Sequence, residues 1–447
     1  FPEAGGTNSN ISADGKIVSL PDYVHEVGEK AFYSNLTINT ISLNNVTTVD
    51  NEAFARCGNL RTVTIPVGTT SIASSAFSEG GLQNIKVSSD NAVYQDIDGV
   101  LFSKDATELL TFPLNHYKYK NPESTDASGY NYEIPAGTVT VKAKAFVGAN
   151  INKLTFASSV TTLEEDAFAS SRLREVEFGS GFSVIPSNAF RQSLVEVIDI
   201  PANVTEFQSG AFYNCPSLRE VKIADGSKLT KIGESSFGNC PKLESFTFLG
   251  CCDQLASIGS QAFLNNTSLM AFALPKNVMS IGAKAFTGCA SLKTFEFASD
   301  ATISQIGASA FADCTGLEEI SIPNSVKVIS GQAFDGCVGL KKVSIPAGTT
   351  NVEYNAFSAC TGLTNIEVDK DNMDYASIDG MLCNKDKTTL LIFPGGKAYD
   401  NLTLLSPSFT TIGNRAFYSC KNLTTITIPK QVTKIEDEAF ALCDQLK

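Results

Sequence analysis

The sequence predicts an α/β solenoid, in which short parallel strands line the concave side of a stack of coils and short helical or irregular turns line the convex side. Three observations support this prediction. An Ala-Phe pair, once replaced by Ser-Phe, recurs fifteen times, at spacings of 22 to 26 residues apart from two longer intervals. An alternating apolar stretch accompanies each pair, and proline often closes that stretch. A fixed period of this length indicates a solenoid rather than several globular domains.

The first part of each repeat is predicted to be a short strand. Leu60, Val63 and Ile65 are typical of it, because apolar and polar residues alternate there and two of the three are β-branched. Ten of the sixteen prolines follow such a stretch directly, as Pro66 does. Proline has no N–H for a strand ladder and a fixed φ, so it is expected to end the strand at the same point in each coil.

The second part of each repeat is predicted to be helical. Val278, Ile281, Ala285, Cys289 and Leu292 are three or four residues apart, a spacing that fits one face of a helix or of successive helical turns. One strand and one short helical segment cannot bury a core alone. The coils are therefore expected to stack around a continuous column of Phe, Leu, Ile and Val.

Two segments break the repeat in the same way. Residues 91–113 and 372–394 align at a constant offset of 281 and share Asp-Gly, Lys-Asp and Leu-Leu-x-Phe-Pro. Each is predicted to form a β-hairpin, with one strand after Asp-Gly and another after the Lys-Asp turn. The first segment is followed by a polar, Tyr-rich loop, residues 114–132, that the second lacks.

These features predict one domain. An N-terminal tail, residues 1–16, precedes a single solenoid, residues 17–447. Irregular hairpin units interrupt the solenoid at about 88–135 and 369–406.

Charge and hydropathy limit the partners. The formal net charge is −13, which argues against nucleic acid or an anionic membrane, because both require clustered Lys and Arg. No apolar run approaches the roughly 18 residues of a membrane-spanning helix. We therefore expect no nucleic-acid partner and no membrane insertion by this segment.

Nine of the twelve cysteines lie three residues after the phenylalanine of an Ala-Phe or Ser-Phe pair. Gly, Ala, Ser and Asn occupy the same position in other coils, so it requires a small, buried side chain. Buried free thiols are the favoured interpretation, and disulfides between adjacent coils are the alternative. Cys251, Cys252 and Cys383 lie outside this column, and no CxxC or His cluster accompanies them.

Residues that could support catalysis are scarce. His25 and His116 are the only histidines, and neither belongs to a catalytic motif. His25 is expected on the surface and His116 in the polar loop. No phosphate-binding glycine motif occurs. The sequence therefore predicts no catalytic residue and no cofactor.

An aspartate-rich stretch, DKDNMDYASIDG, precedes and enters the second hairpin. Asp369, Asp371, Asp374 and Asp379 could suggest a calcium loop, but their spacing does not match the EF-hand pattern. Asp and Asn that form turns before a hairpin are the favoured interpretation. No metal site is predicted.

The repeat unit LxxIxIPxxVxxIGxxAFxxCxx resembles the BspA-like class of leucine-rich repeats, which occurs in surface and secreted proteins of bacteria and of some protists. The resemblance extends from about Ile17 to Leu446, and the DGVLFSKD and DGMLCNKD hairpins resemble the irregular units between such repeats. It implies a leucine-rich-repeat arc, an extracellular or cell-surface location, and binding or adhesion to host proteins or neighbouring cells. The sequence shows no secretion signal, lipid-attachment cysteine or anchor, so the location is an expectation from the resemblance.

The polar residues of the strands are expected on the open, concave face of the sheet. They are mostly Thr and Ser, with no aromatic residue among them, which disfavours a glycan site there. An acidic patch is predicted at Glu175, Glu177, Asp199 and Glu220. Solvated surface polarity is one interpretation, and a docking strip for a basic protein or peptide is the other. Aromatic candidates for ligand contact come from the loop: Tyr117, Tyr119, Tyr130 and Tyr132.

The resulting prediction is a non-enzymatic cell-surface or secreted binding protein. Its ligand would be a protein, such as a host extracellular-matrix or cell-surface protein, held by the concave sheet or by the 114–132 loop. The alternative is a passive spacer that displays another domain away from the cell. The sequence predicts neither the ligand nor an oligomeric state.

Overall fold

A computed structural model describes residues 19–116, 131–397, 402–403 and 408–447. By its internal contacts the chain divides into two units, Phe1–Val204 and Thr205–Lys447, which are described separately. Within the described residues, each unit is a β-solenoid of strands and turns with no helix. Each regular coil contributes one longer strand and one two-residue strand. The predicted tail, residues 1–16, lies outside the described residues.

In the first unit, strands of successive coils pair in parallel, and the register equals the repeat, as in the pairing of Thr62 with Asn84. The longer strands are β2 (Thr40–Ser42), β4 (Thr62–Ile65), β6 (Asn84–Val87), β10 (Asn131–Glu133), β12 (Lys153–Thr155), β14 (Glu175–Glu177) and β16 (Val197–Ile200). The two-residue strands are β1 (Glu26–Val27), β3 (Thr48–Val49), β5 (Ser71–Ile72), β11 (Thr140–Val141), β13 (Thr162–Leu163) and β15 (Val184–Ile185). The hairpin strands are β7 (Tyr94–Ile97), β8 (Val100–Ser103) and β9 (Glu108–Thr111).

The second unit repeats this arrangement, for example where Ala271 pairs with Thr294 in parallel. The strands that correspond to the longer strands of the first unit are β18 (Glu220–Ile223), β20 (Ser245–Phe248), β22 (Ala271–Leu274), β24 (Thr294–Phe297), β26 (Glu319–Ser321), β28 (Lys342–Ile345), β30 (Asn365–Val368), β34 (Leu402–Thr403) and β36 (Ile426–Thr427). The last two of these have only two residues each. Its other two-residue strands are β17 (Glu206–Phe207), β19 (Lys231–Ile232), β21 (Ser257–Ile258), β23 (Ser280–Ile281), β25 (Gln305–Ile306), β27 (Val328–Ile329), β29 (Asn351–Val352), β35 (Thr411–Ile412) and β37 (Lys434–Ile435). The hairpin strands are β31 (Tyr375–Ile378), β32 (Met381–Asn384) and β33 (Thr389–Ile392).

The phenylalanine column forms the core, as predicted. In the first unit, the rings of Phe32 and Phe54 stack with centroids 5.0 Å apart and nearly parallel planes. In the second unit, Phe286 is fully buried and stacks on Phe263 at 5.1 Å and on Phe311 at 5.5 Å. Burial of each large side chain stabilises the fold by roughly 1.5–3 kcal/mol. Most of this burial is available only when neighbouring coils are stacked.

The predicted helical segment was wrong. In the coil around Phe286, the N–H groups of Lys284, Phe286 and Gly288 donate to carbonyl oxygens of the following coil at 2.8–2.9 Å. The intervening N–H groups close short turns to the carbonyl three residues earlier. Lys284 and Gly288 also have φ values of 58° and 74°, which a right-handed helix does not accommodate. Two consecutive four-residue turns thus place apolar side chains inwards at intervals of three or four residues. One face of a helix has the same spacing, so the sequence pattern does not distinguish the two structures.

Both irregular units contain the predicted hairpins and one strand more than predicted. Strands β7, β8 and β9 form an antiparallel three-stranded meander, and β31, β32 and β33 repeat it. Asp98 and Gly99 have φ values of 52° and 84°, so both central residues of the first turn are left-handed, as a two-residue type I′ hairpin requires. The last strand of each meander then pairs in parallel with the next coil.

The cysteine column consists of buried free thiols, as predicted. All twelve cysteines are free, and Cys251 is the exposed one while Cys443 is half-buried. In most coils the thiol donates to the carbonyl oxygen of the preceding coil's phenylalanine, as Cys337 does to Phe311 at 3.0 Å. Burial raises the pKa of the Cys289 and Cys337 thiols to about 12. These two thiols are therefore neutral at physiological pH.

Candidate functional site

An open groove of about 710 Å³ lies on the exposed face of the longer strands in the second unit. Its floor is strand β22, where Ala271 and Ala273 point outwards. The adjacent strands carry Ser245 and Thr247 on one side and Thr294 and Glu296 on the other. Because a methyl group replaces the larger side chains of the neighbouring coils, a trough runs along β22.

Loop lengths deepen this trough. The connection after β22, residues 275–279, is shorter than the connections after β20 and β24, residues 249–256 and 298–304. Residues 250–253, Ala298 and Asp300 from these longer loops line the groove together with Pro275. Phe248, Met270 and Leu274 add further apolar surface. The groove therefore results from differences between successive coils.

The loop between β20 and β21 is held by close packing. A Cβ atom on Gly250 would lie 1.8 Å from Oδ1 of Asp225, so the Asp225 side chain would have to move to accommodate any other residue. Leu249 N–H donates to the carbonyl of Ile223 at 2.9 Å. Within the loop, Cys252 is buried, while the Cys251 thiol is exposed at the rim of the groove. The wall of the groove is thus anchored to the preceding coil.

The groove has an apolar floor and an acidic rim. Glu244 lies at the N-terminal end of the strands, and Asp253 and Asp300 lie beyond their C-terminal ends. The Lys276 ammonium is 3.5 Å from the Asp253 carboxylate. Glu244 and Asp300 form no ion pair with any residue in the described part of the chain. A ligand with positive charge at both ends would complement this arrangement.

The predicted acidic residues of the first unit lie on one strand face but are partly neutralised. Glu175 and Glu177 are exposed on β14, and Asp199 is exposed on the adjacent strand β16. The Lys153 ammonium donates to Glu177, and Thr155 Oγ1 donates to the same carboxylate at 2.9 Å. The hydrogen bond from Lys153 is the main reason that the pKa of Glu177 is lowered.

Glu220 belongs to the second unit. It lies half-buried on β18, and its carboxylate is 3.0 Å from the Lys222 ammonium on the same strand. Two of the four predicted carboxylates are therefore paired with lysine: Glu177 with Lys153 from the preceding coil, and Glu220 with Lys222 two residues away. These partners reduce the local negative charge.

Of the four predicted tyrosines, Tyr132 lies within the described residues. Tyr117, Tyr119 and Tyr130 lie outside the described residues. Tyr132 is 5% exposed, and its ring packs edge-on against Phe112 at 4.8 Å. A role for Tyr132 in direct ligand contact does not fit this position, because the alternation along β10 turns its side chain inwards.

Histidine and aspartate side chains have structural contacts. His25 is exposed, as predicted, and its Nδ1 is 3.1 Å from the Asn45 carbonyl oxygen. His116 is buried rather than part of an exposed loop, with its ring stacked on Phe112. Asp369 Oδ1 accepts a hydrogen bond from the Asp371 N–H at 2.9 Å, as in a turn. Within the described ranges, no three His, Cys, Asp or Glu side chains are placed to hold a metal ion.

The sequence contained a signal for the groove that its interpretation missed. The strand AFAL carries Ala where most other coils carry Thr, Ser, Glu or Lys. The Phe-to-Phe spacings also lengthen to 25 and 26 just before this coil and to 25 just after it. Small outward residues between two longer coils together predict a trough, whereas either feature alone is uninformative.

Stacked coils of 22 to 26 residues, each with one longer parallel strand that contributes to an exposed strand face, define a leucine-rich-repeat solenoid. The sequence model described as BspA type Leucine rich repeat region, in six copies, matches residues 12–108, 127–244, 230–364 and 392–447. These matches cover well over half of the chain, so the protein belongs to this family, as its repeat unit predicted. No curated protein shows a significant match.

Several solved structures are similar. A leucine-rich repeat protein from Bacteroides ovatus is 18% identical, with a TM-score of 0.50, over 82% of this chain and 92% of that chain. A leucine rich cell surface protein from Faecalibacterium prausnitzii is 20% identical, with a TM-score of 0.39, over 82% and 95%. The pneumococcal vaccine antigen PcpA is 17% identical, with a TM-score of 0.42, over 80% and 95%. The first likeness supports the solenoid fold.

Proposed function

We propose that this protein is a non-enzymatic binding or adhesion protein, at the cell surface or secreted, that holds a protein ligand on the exposed face of its longer strands. The groove over Ala271 and Ala273 is the observation that carries the proposal. An apolar concavity with a few charged groups at its rim is typical of binding sites. The extracellular location is supported by the family, and the described residues contain no helix long and apolar enough to cross a membrane.

The exposed strand face of the first unit, taken by itself, is a second candidate surface for a ligand. Glu175 and Asp199 are exposed there beside the Lys153–Glu177 pair. Charges on an exposed face set partner selectivity and association rate more than affinity. We therefore assign Glu175, Glu177 and Asp199 a steering role on this face, and Glu220 the same role on the strand face of the second unit.

A passive spacer is the alternative, and one observation favours it. Several exposed charges of the first unit pair across neighbouring coils, as Arg174 does with Glu196 at 2.7 Å and Arg56 with Glu79 at 2.8 Å. Such charges keep the surface soluble and need no external partner. A spacer would have no selective ligand on either strand face.

The proposal is tested by binding the purified chain to an array of extracellular-matrix proteins, cell-surface proteins and mucins. Three variants run in parallel: Ala273→Arg, the Glu175/Glu177/Asp199/Glu220→Ala combination, and replacement of residues 117–130 by a short Gly-Ser linker. Ser344→Arg, on the exposed face of β28 away from the groove, is the matched control. We expect a protein ligand that Ala273→Arg weakens and Ser344→Arg leaves unchanged. Uniformly negative binding would support the spacer.

A further inference from the structure

The groove in the second unit has a shape that suits an extended peptide. It is open along one side, so a small molecule would leave much of its surface in water, whereas tight small-molecule sites bury most of the ligand. A four-residue strand such as β22 spans roughly 13 Å, the length of about four residues of extended chain. A peptide lying along the strand could place two side chains in the trough and leave the others in solvent.

Recognition in this groove depends on side chains. Strand β22 pairs with β20 on one side and β24 on the other, so it offers no free edge to which a ligand strand could be added. The contact surface consists of the Ala271 and Ala273 methyl groups, Met270 and part of Phe248. Met270 is 53% exposed, and a methionine adapts to aliphatic side chains of different shape. The floor therefore favours aliphatic residues in the ligand.

The ends of the groove favour positive charge. Glu244 is at one end and Asp300 at the other, and both are exposed. Lys276 is the cation that lines the groove, and it already faces Asp253 at 3.5 Å. A basic residue at each end of a bound peptide would meet a carboxylate, whereas an acidic residue would be repelled.

We propose that the groove binds an extended segment of a partner protein in which a short aliphatic stretch is flanked on both sides by Lys or Arg. This inference rests on the proposed binding function and names the part of the ligand that is recognised. About two to four aliphatic residues separate the basic residues, because the carboxylates lie at opposite ends of four-residue strands.

The test uses a library of random dodecapeptides displayed on phage. The library is selected on the wild-type chain after depletion on the Ala273→Arg variant, whose side chain would fill the trough. Binding of selected peptides is then measured by calorimetry with the wild type, the Glu244→Gln/Asp300→Asn double variant and the Ser344→Arg control. Circular dichroism and thermal melting verify that every variant is folded.

We expect the selected peptides to share an aliphatic centre with basic flanks. Their Kd should rise at least tenfold with Ala273→Arg and about tenfold with the double variant, and should stay unchanged with Ser344→Arg. The wild-type Kd should also rise with salt, and this dependence should weaken in the double variant. Failure to enrich any peptide, enrichment of peptides without basic flanks, or an unchanged Kd in the double variant would overturn the inference.

The result of the peptide test can be distinguished from the result of the array test of the proposed function. A protein ligand on the array that binds Ala273→Arg as well as the wild type would leave the binding function standing and refute the groove as its site. Selected basic-flanked peptides combined with a negative array would support the groove chemistry and remove support for binding to extracellular-matrix, cell-surface or mucin proteins.

Discussion

Single buried polar side chains fix the points at which the regular coil gives way to a meander. Asn372 is fully buried, and its Nδ2 donates to the carbonyls of Pro346 and Thr349 at 2.8 and 3.0 Å. Its Oδ1 accepts from the N–H groups of Asp374 and Tyr375 at 2.9 and 2.8 Å. The side chain thus satisfies four backbone groups where strand pairing stops. Asn91 makes the same four types of bond in the first unit.

Replacing this asparagine should destabilise the second unit. Asn372→Ala removes the side-chain partner of the Thr349 carbonyl and of the Asp374 and Tyr375 N–H groups, while the Pro346 carbonyl keeps the N–H of Thr349. We therefore expect the free energy of unfolding to fall by about 2–4 kcal/mol. Urea unfolding followed by circular dichroism measures the change. Lys370→Ala, two residues away and exposed, is the control and should change stability by less than about 0.5 kcal/mol. A loss below about 1 kcal/mol for Asn372→Ala would contradict the assigned role.

Thiol accessibility is a second property of single residues. Cys251 is exposed at the rim of the groove, and ten of the other cysteines are buried while Cys443 is half-buried. Burial raises the pKa of column thiols such as Cys289 and Cys337, which lowers their fraction of reactive thiolate. In the folded protein we expect one fast equivalent of reaction with a disulfide reagent such as Ellman's reagent, and a slower second one. Cys251→Ser should remove the fast phase, and several fast equivalents would show that the column is not buried.

At the scale of the repeated element, the turn segment and the phenylalanine column depend on each other. Each turn places an Ala-Phe pair inwards, and hydrogen bonds from alternate N–H groups attach it to the next coil. Phe286 contacts the rings of Phe272 and Phe295 edge-on at 5.0 and 5.1 Å, in addition to its stacking on the two neighbours in the column. One ring therefore stabilises at least three coils.

The corresponding substitution should affect more than one coil. Phe286→Ala leaves a cavity in this shared column, and we expect a loss of about 3–5 kcal/mol. Hydrogen exchange should show lower protection in the coils on both sides, because each coil is stabilised mainly by its neighbours. Met279→Ala, at a side chain that is 57% exposed, is the control. A melting temperature equal to the wild type for Phe286→Ala would disprove the inward position of the column.

At the scale of the whole molecule, stability comes from repeated burial rather than from surface charge. The net charge of −13 is distributed over an exposed surface on which many ion pairs link adjacent coils, such as Lys231 with Glu206 at 2.8 Å. Exposed pairs of this kind contribute about 0–1 kcal/mol each. The buried thiols of Cys289 and Cys337 are a different case, because burial in the core raises the pKa of both.

The raised pKa values of these two thiols make stability sensitive to alkaline pH. The folded pKa of Cys289 and of Cys337 is about 12, against an ordinary value of 9.0. Between these values the unfolded chain binds fewer protons than the folded chain, so stability falls as the pH rises. The loss for each such thiol is at most about 1.4 kcal/mol per pH unit.

We expect the urea midpoint of the wild type to decline above pH 9. The Cys289→Ala/Cys337→Ala variant should be less stable at pH 7 but should show a shallower decline, because two of the titrating groups are absent. The comparison between the two proteins separates the thiols from Tyr and Lys, which titrate in the same range. Equal slopes would show that these thiols do not control the alkaline loss.

The sequence by itself determined the features that depend on local chemistry repeated at a fixed period. These are the strand positions and their proline ends, the inward phenylalanines, the small buried cysteine position, the Asp-Gly turns of both meanders and the family. Each is set by a residue type and its immediate neighbours, such as the left-handed Asp98 and Gly99.

Only the tertiary structure decided what depends on contacts between residues one coil apart. The segment around Phe286 forms turns because the next coil accepts its N–H groups, and Glu177 is neutralised by Lys153 from the preceding coil. Tyr132 faces inwards because its strand joins the stack. The groove exists because a short coil with alanines lies between two longer coils. These contacts join residues more than 20 positions apart, so a local pattern does not specify them.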